Sequence, residues 1–171
     1  MGKVESIDIG YTWEGDFLSI WKKDASARGG GYTITWNTIL TGFYANPGKK
    51  HCIGFELLDA AQMLLPYLRR EVSQGTVCNG ELLASYEVDT DTLVLLSTAG
   101  DITDDQIITG GLVAHCNERG LAVGFTLNRA AELLLPHLET WRPWTEEEMA
   151  QIQKVIAEHD AALRKRMAPG S

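Results

Sequence analysis

Two His-Cys dipeptides, His51-Cys52 and His115-Cys116, are the residues best equipped for chemistry. An imidazole beside a thiol can take its proton and leave a nucleophilic thiolate. Two such pairs brought together could instead supply the nitrogen and sulfur ligands that zinc prefers. Their settings differ, however: His51 lies three residues before Gly54-Phe55, and His115 lies nine before Gly124-Phe125. A symmetric site is therefore not expected, and no metal is assigned. Cys116 falls on an apolar stripe, where a free cysteine behaves as a small hydrophobe. His51 and Cys52 stay as weak catalytic candidates, and the favoured reading of both pairs is structural.

The second candidate is a run of carboxylates. No Lys or Arg occurs between Arg70 and Arg119, while Glu87, Asp89, Asp91, Asp101, Asp104 and Asp105 all fall there. Neither Asp89-Thr90-Asp91 nor Asp104-Asp105 follows the calcium-loop pattern. The expected use is an acidic face that docks on a basic partner, because complementary charge raises on-rate and selectivity. With a net charge of −8, direct nucleic-acid binding is not expected.

Arg28-Gly29-Gly30-Gly31 lies where phosphate loops occur but lacks their Gly-Lys-Ser/Thr ending, so no nucleotide or other cofactor is assigned. Arg28 and Trp36 are kept as binding candidates because they mark an insertion. Trp13, Trp21 and Trp36, with Tyr11, Tyr32, Phe43 and Tyr44, could line a small-molecule pocket; core filling is the simpler reading.

The elements that must position these residues follow from a repeat. Ile53–Leu68 and Val123–Leu138 are identical at nine of sixteen positions at an offset of 70, including Gly54/Gly124, Phe55/Phe125 and Pro66/Pro136. A second block sets Ile39–Gly42 against Ile107–Gly110 at an offset of 68, and a third sets Tyr11–Leu18 against Tyr86–Leu93 at 75. The drift places about seven extra residues in copy one near Arg28 and two extra in copy two. Each copy is expected to read β-hairpin, helix, strand, helix. In copy two, Glu81–Val88 and Thr92–Ser97 form the hairpin through Asp89-Thr90-Asp91. Thr103 then caps a helix with Gln106 as its capping-box partner, Ile107, Ile108, Leu112 and Cys116 form its buried stripe, and Gly120 ends it. In copy one Thr35 is the corresponding cap.

The expected fold is α+β: an internal duplication of a β-hairpin–α–β–α unit with pseudo-twofold symmetry, plus a long C-terminal helix. Copy one spans 1–75 and copy two 76–140, packed as a single domain around one joint sheet, with the tail helix at 145–167. Thr145 and Glu148 form a capping box for that helix, Glu146–Glu148 suit its positive end, and Arg164–Arg166 suit its negative end. Met149, Ile152, Ile156, His159 and Leu163 are spaced as a short coiled-coil seam, which would either fold back on the body or pair two chains as a homodimer.

Hydrophobic residues make up 44% of the chain, which excludes intrinsic disorder, and no apolar run approaches the roughly 20 residues of a membrane span. Three cysteines and no apolar leader suggest a cytoplasmic protein with reduced thiols. The leading functional expectation is a non-catalytic binding or regulatory protein. One variant is an inhibitor that blocks a basic nucleic-acid-binding surface of its target, of mobile-element or immunity type. A Cys/His enzyme acting in the cleft between copies and a small-molecule sensor are the alternatives.

Overall fold

The computed structural model describes residues 7–23, 32–35, 39–44, 52–71, 76–79, 82–97 and 101–170. Alternating side-chain character makes strand the commonest element among the described residues. In Phe17–Lys22, Leu18 and Ile20 turn inward while Phe17, Ser19 and Trp21 are half-buried, the two-residue period of a sheet with one covered face. The strands are β1 (Ile7–Thr12), β2 (Phe17–Lys22), β3 (Tyr32–Thr35), β4 (Leu40–Tyr44), β5 (Cys52–Leu58), β6 (Thr76–Asn79), β7 (Leu82–Glu87), β8 (Thr92–Ser97), β9 (Asp104–Thr109), β10 (Leu112–Cys116) and β11 (Ala122–Asn128). Helices are α1 (Ala60–Leu68), α2 (Ala130–Leu138) and α3 (Glu146–Met167).

The class is α+β, with the strands in two antiparallel sheets. One runs β1-β2-β5-β4-β3 and the other β6-β7-β8-β11-β10-β9. With β6 set aside, the two orders correspond strand for strand. Pairing registers fix the equivalence: Leu18 and Leu40 flank Leu57, as Leu93 and Leu112 flank Leu127. The offsets are therefore 75 (93 − 18), 72 (112 − 40) and 70 (127 − 57).

Three expectations are corrected. The helix expected to start at Thr103 is instead the hairpin β9–β10, joined by Gly110-Gly111, and the segment after Thr35 likewise holds β4. Each half is thus two hairpins, a central strand and one helix. The second sequence block, at an offset of 68, is misaligned by four residues against the pairing register. By this register the first half is longer than the second by three residues between β2 and β4 (75 − 72) and by two between β4 and β5 (72 − 70). Finally, the single joint sheet is replaced by two. β5 is already paired by β2 and β4 along both edges, so no strand of the other sheet can join it there. β9 reaches β5 through a side chain instead: the Cys52 N–H donates to Gln106 Oε1 at 3.3 Å, and Gln106 Nε2 donates to the Cys52 carbonyl at 3.0 Å.

The inner faces meet in one core. Phe55 and Phe125, at equivalent places in β5 and β11, stack with ring centroids 4.5 Å apart. Leu18, Ile20, Leu57, Leu93, Leu95, Leu112 and Leu127 surround them, and α1 packs against α2. Gly54 and Gly124 are required by close approach, since a Cβ at Gly54 would sit 2.1 Å from the Ile20 carbonyl oxygen and one at Gly124 2.6 Å from that of Leu95.

α1 and α2 start in an unusual way. Each follows its strand through a single left-handed residue, Asp59 (φ 55°) or Arg129 (φ 57°), whose side chain caps nothing. The cap comes from the first hairpin of the same half. Asp16 accepts the Ala61 N–H at 2.7 Å, the Gln62 N–H at 3.0 Å and the Tyr11 hydroxyl at 2.7 Å, although only 3% of it is exposed. Asp91 repeats this with Ala131 (2.7 Å), Glu132 (3.4 Å) and the Tyr86 hydroxyl (2.7 Å). A carboxylate here satisfies orphan N–H groups and faces the positive end of the helix dipole. It also ties hairpin, helix and central strand together. Pro66 and Pro136 fall in the last turn of their nine-residue helices.

Residues Arg142–Ser171 form a second compact unit. Its helix, α3, begins with the expected capping box: the Glu148 N–H donates to Thr145 Oγ1 at 3.1 Å, and the Thr145 N–H donates to Glu148 Oε2 at 2.9 Å. Arg142 donates twice to the same carboxylate, at 2.8 and 2.6 Å.

Two predictions follow from these caps. Asp16→Ala should lower unfolding stability by about 2–3 kcal/mol in urea titration, because it orphans buried donors as well as losing a cap, whereas Asp91→Ala, at a more exposed site, should cost about 1 kcal/mol. Glu148 is held down to about 2 from 4.5 by the Arg142 guanidinium and then the Thr145 N–H. A lowered value means the ionised carboxylate favours the folded helix start. That contribution is complete above pH 4.5 and is lost as pH falls from there towards 2, so the protection of first-turn amides of α3, taken relative to their free-peptide exchange rate at each pH, should fall over this range in the native chain but not in Glu148→Gln.

Candidate functional site

The sequence candidates separate into three places. His51, Arg28, Gly29–Gly31 and Trp36 lie outside the described residues. Cys52 opens β5 and Cys116 closes β10, so both sit in strands, against the expectation that the second pair lies in a helix. Both thiols face the core. The Cys52 Sγ–H points to the Gly54 carbonyl at 3.4 Å, and that of Cys116 to the Ala114 carbonyl at 3.9 Å. Burial pushes Cys52 up to about 12, and raises Cys116 with a smaller contribution from Asp104 and Asp105. These surroundings hold both thiols protonated at neutral pH, the reverse of an activated nucleophile.

His115 faces the other way. On the outer surface of the second sheet its Nδ1 lies 2.7 Å from Asp105 Oδ1 in β9, and its Nε2 lies 2.6 Å from Thr126 Oγ1 in β11. The chain of contacts crosses three neighbouring strands. Carboxylate, imidazole and hydroxyl stand in the order that activates a hydroxyl in acyl transfer, and the same contacts also lace edge strand β9 to the sheet interior. Sequence reading missed this trio because Asp105, His115 and Thr126 become neighbours only through strand register. The equivalent position in the first sheet is Phe43, which meets Trp21 with ring centroids 4.2 Å apart.

The carboxylates do not form one face. Glu87, Asp89 and Asp91 lie at the tip of the β7–β8 hairpin, in register with Thr92 and Asn128. Asp104 and Asp105 open β9, in register with Cys116 and His115, and His115 in turn pairs Gly124 beside Leu96. These are opposite ends of the sheet. Asp91 is committed to the start of α2. Asp101, Asp104 and Asp105 are exposed, although Asp105 is held by His115, and with them Ile102 and Ile107, the latter 71% exposed. β9 is an edge strand of its sheet. An open edge offers backbone groups to an added strand, and exposed isoleucines add apolar contact.

Among the described residues, no group of three or more His, Cys, Asp or Glu is placed to hold a metal ion, and no helix is long and apolar enough to cross a membrane. No protein-family model, curated protein or solved structure matches the chain.

Burial of the thiols yields a direct expectation. In the folded protein Cys52 and Cys116 should react with a neutral disulfide probe only at the rate of unfolding, with mass mapping used to assign each site; fast labelling of Cys52 near pH 7 would restore the thiol-enzyme reading.

Proposed function

We propose that the chain is a non-catalytic binding protein that docks on a basic protein partner through the β9 edge. One observation carries this reading: Asp104, Asp105 and solvent-exposed Ile107 lie on a strand at the margin of its sheet, with exposed Asp101 and Ile102 just before it. The fitting partner is an extended segment in which Lys or Arg alternates with apolar side chains. Backbone pairing would give affinity, and the alternate side chains would give selectivity. An inhibitor that covers a basic nucleic-acid-binding groove is one form such a protein takes. The enzyme alternative is disfavoured for Cys52 by its burial. A small-molecule pocket among the copy-one aromatics gains support only from the Trp21–Phe43 contact, which also suits packing.

The same reading includes a duplicated origin, in which one unit was copied and fused, its halves related by a pseudo-twofold axis. Support comes from the matching strand orders, the paired phenylalanines and the two Tyr–Asp clamps. Cytoplasmic residence fits two buried, reduced thiols, Cys52 and Cys116.

Calorimetric titration with a peptide of alternating lysine and valine tests the docking surface. Binding should weaken as salt rises and should fall by about tenfold or more in Asp104→Lys and in Ile107→Glu, both exposed positions whose substitution leaves the core intact. Affinity that is indifferent to salt, or unchanged in both variants, would remove the β9 edge as the binding surface.

A further inference from the structure

α3 raises a separate question of its own. It is a 22-residue helix with none of its residues buried, yet Met149, Val155, Ile156, Leu163 and Met167 are each between 41 and 82% exposed. A helix gains most of its stability in proteins by covering an apolar face. Capping explains where this one starts, but not why Met149, Ile152, Ile156 and Leu163 recur at intervals of three, four and seven along one side. That spacing is the a/d pattern of a two-stranded coiled coil, with Met149, Ile156 and Leu163 at a and Ile152, His159 and Arg166 at d.

We propose that α3 pairs antiparallel with α3 of a second copy of this chain. The charge distribution selects both the partner and its direction. Glu146, Glu147 and Glu148 occupy the first turn and Arg164, Lys165 and Arg166 the last. A parallel pair would set acid against acid and base against base, and would align two helix dipoles. An antiparallel pair sets each acidic end beside a basic end and opposes the dipoles. One helix carries both halves of this complementarity, which is the condition for a twofold, self-matching interface.

The register follows from the layers. In an antiparallel coil an a residue of one helix meets a d residue of the other, so Ile152 faces Leu163 of the second copy, Ile156 faces its His159, and Met149 faces its Arg166. The last contact brings Arg166 beside the opposing acidic turn. A shallow groove of about 310 Å³ between Trp144, Glu148, Gln151, Ile152, Val155 and Ile156 receives Leu163 and His159 of the other copy. Two such grooves form, one per chain. This pairing is independent of the β9 edge.

Sedimentation equilibrium on the full chain should give twice 18.8 kDa at high concentration. Ile156→Glu would put a carboxylate into each of the two central layers of the seam, opposite His159 of the other copy, and should weaken the dimer by more than about tenfold. Its thermal unfolding should stay unchanged at concentrations where the native chain is monomeric, since Ile156 is exposed there. Direction is read separately in a Cys78→Ser background, by mixing Met149→Cys with Arg166→Cys under mild oxidation. Disulfides joining one variant to the other are expected. A chain that remains monomeric across the concentration series, an Ile156→Glu dimer as tight as the native one, or disulfides only between like variants would each overturn the proposal.

Discussion

A carboxylate in a hairpin turn, buried as Asp16 and half-buried as Asp91, holds each half of this molecule together. Asp16 and Asp91 reach out of their own hairpins to cap helices that begin about forty residues later, and each takes a tyrosine hydroxyl from the strand before its turn. The cap must come from outside the helix because the residue at the strand–helix junction is left-handed and turns its side chain away. That junction lets strand pass into helix in one residue. The helix then lies close to its strand, its alanines enter the core, and the two halves meet at Phe55 and Phe125. Removing the carboxylate would leave buried N–H groups without a partner and release the helix from the sheet it covers.

This arrangement also sorts the acidic residues by role. Asp91 belongs to the clamp and Asp105 is held by His115, so the run of carboxylates in the sequence is not one surface. Asp101 and Asp104, just before and at the start of β9, are exposed beside Ile102 and Ile107 at the margin of the described sheet. The buried cysteines fit the same division. They face inward next to backbone carbonyls, and the low-dielectric core that stabilises the fold removes the thiolate that catalysis would need.

Sequence patterns misled most clearly over residues 103–116. Ile108, Leu112 and Cys116 lie four apart, a spacing that puts side chains on one face of a helix. It does the same on a strand, because two divides four. Thr103 and Gln106 added a capping-box match, yet Gly110-Gly111 between two apolar runs is a hairpin signal of equal strength. Packing decides between them: as strands, this segment covers β11 and supplies Gln106 to β5. Local patterns could not rank the two readings, since one deciding contact is with a separate strand, β11, and the other is with Cys52, 54 positions away.

The sequence by itself determined the α+β class, the β7–β8 hairpin at Asp89-Thr90-Asp91, the shared strand-then-helix form of the segments around Gly54 and Gly124, and the limits and capping box of α3. All of these rest on contacts between residues close in the chain, or on comparison of the chain with itself. Only the tertiary structure decided that there are two sheets, that Asp16 and Asp91 serve as helix caps, that Asp105, His115 and Thr126 form one chain of hydrogen bonds, and that the carboxylates divide between two ends of a sheet. Strand register produces each of these, and register is set by which apolar faces bury one another across the whole fold, a condition that no single stretch of sequence carries.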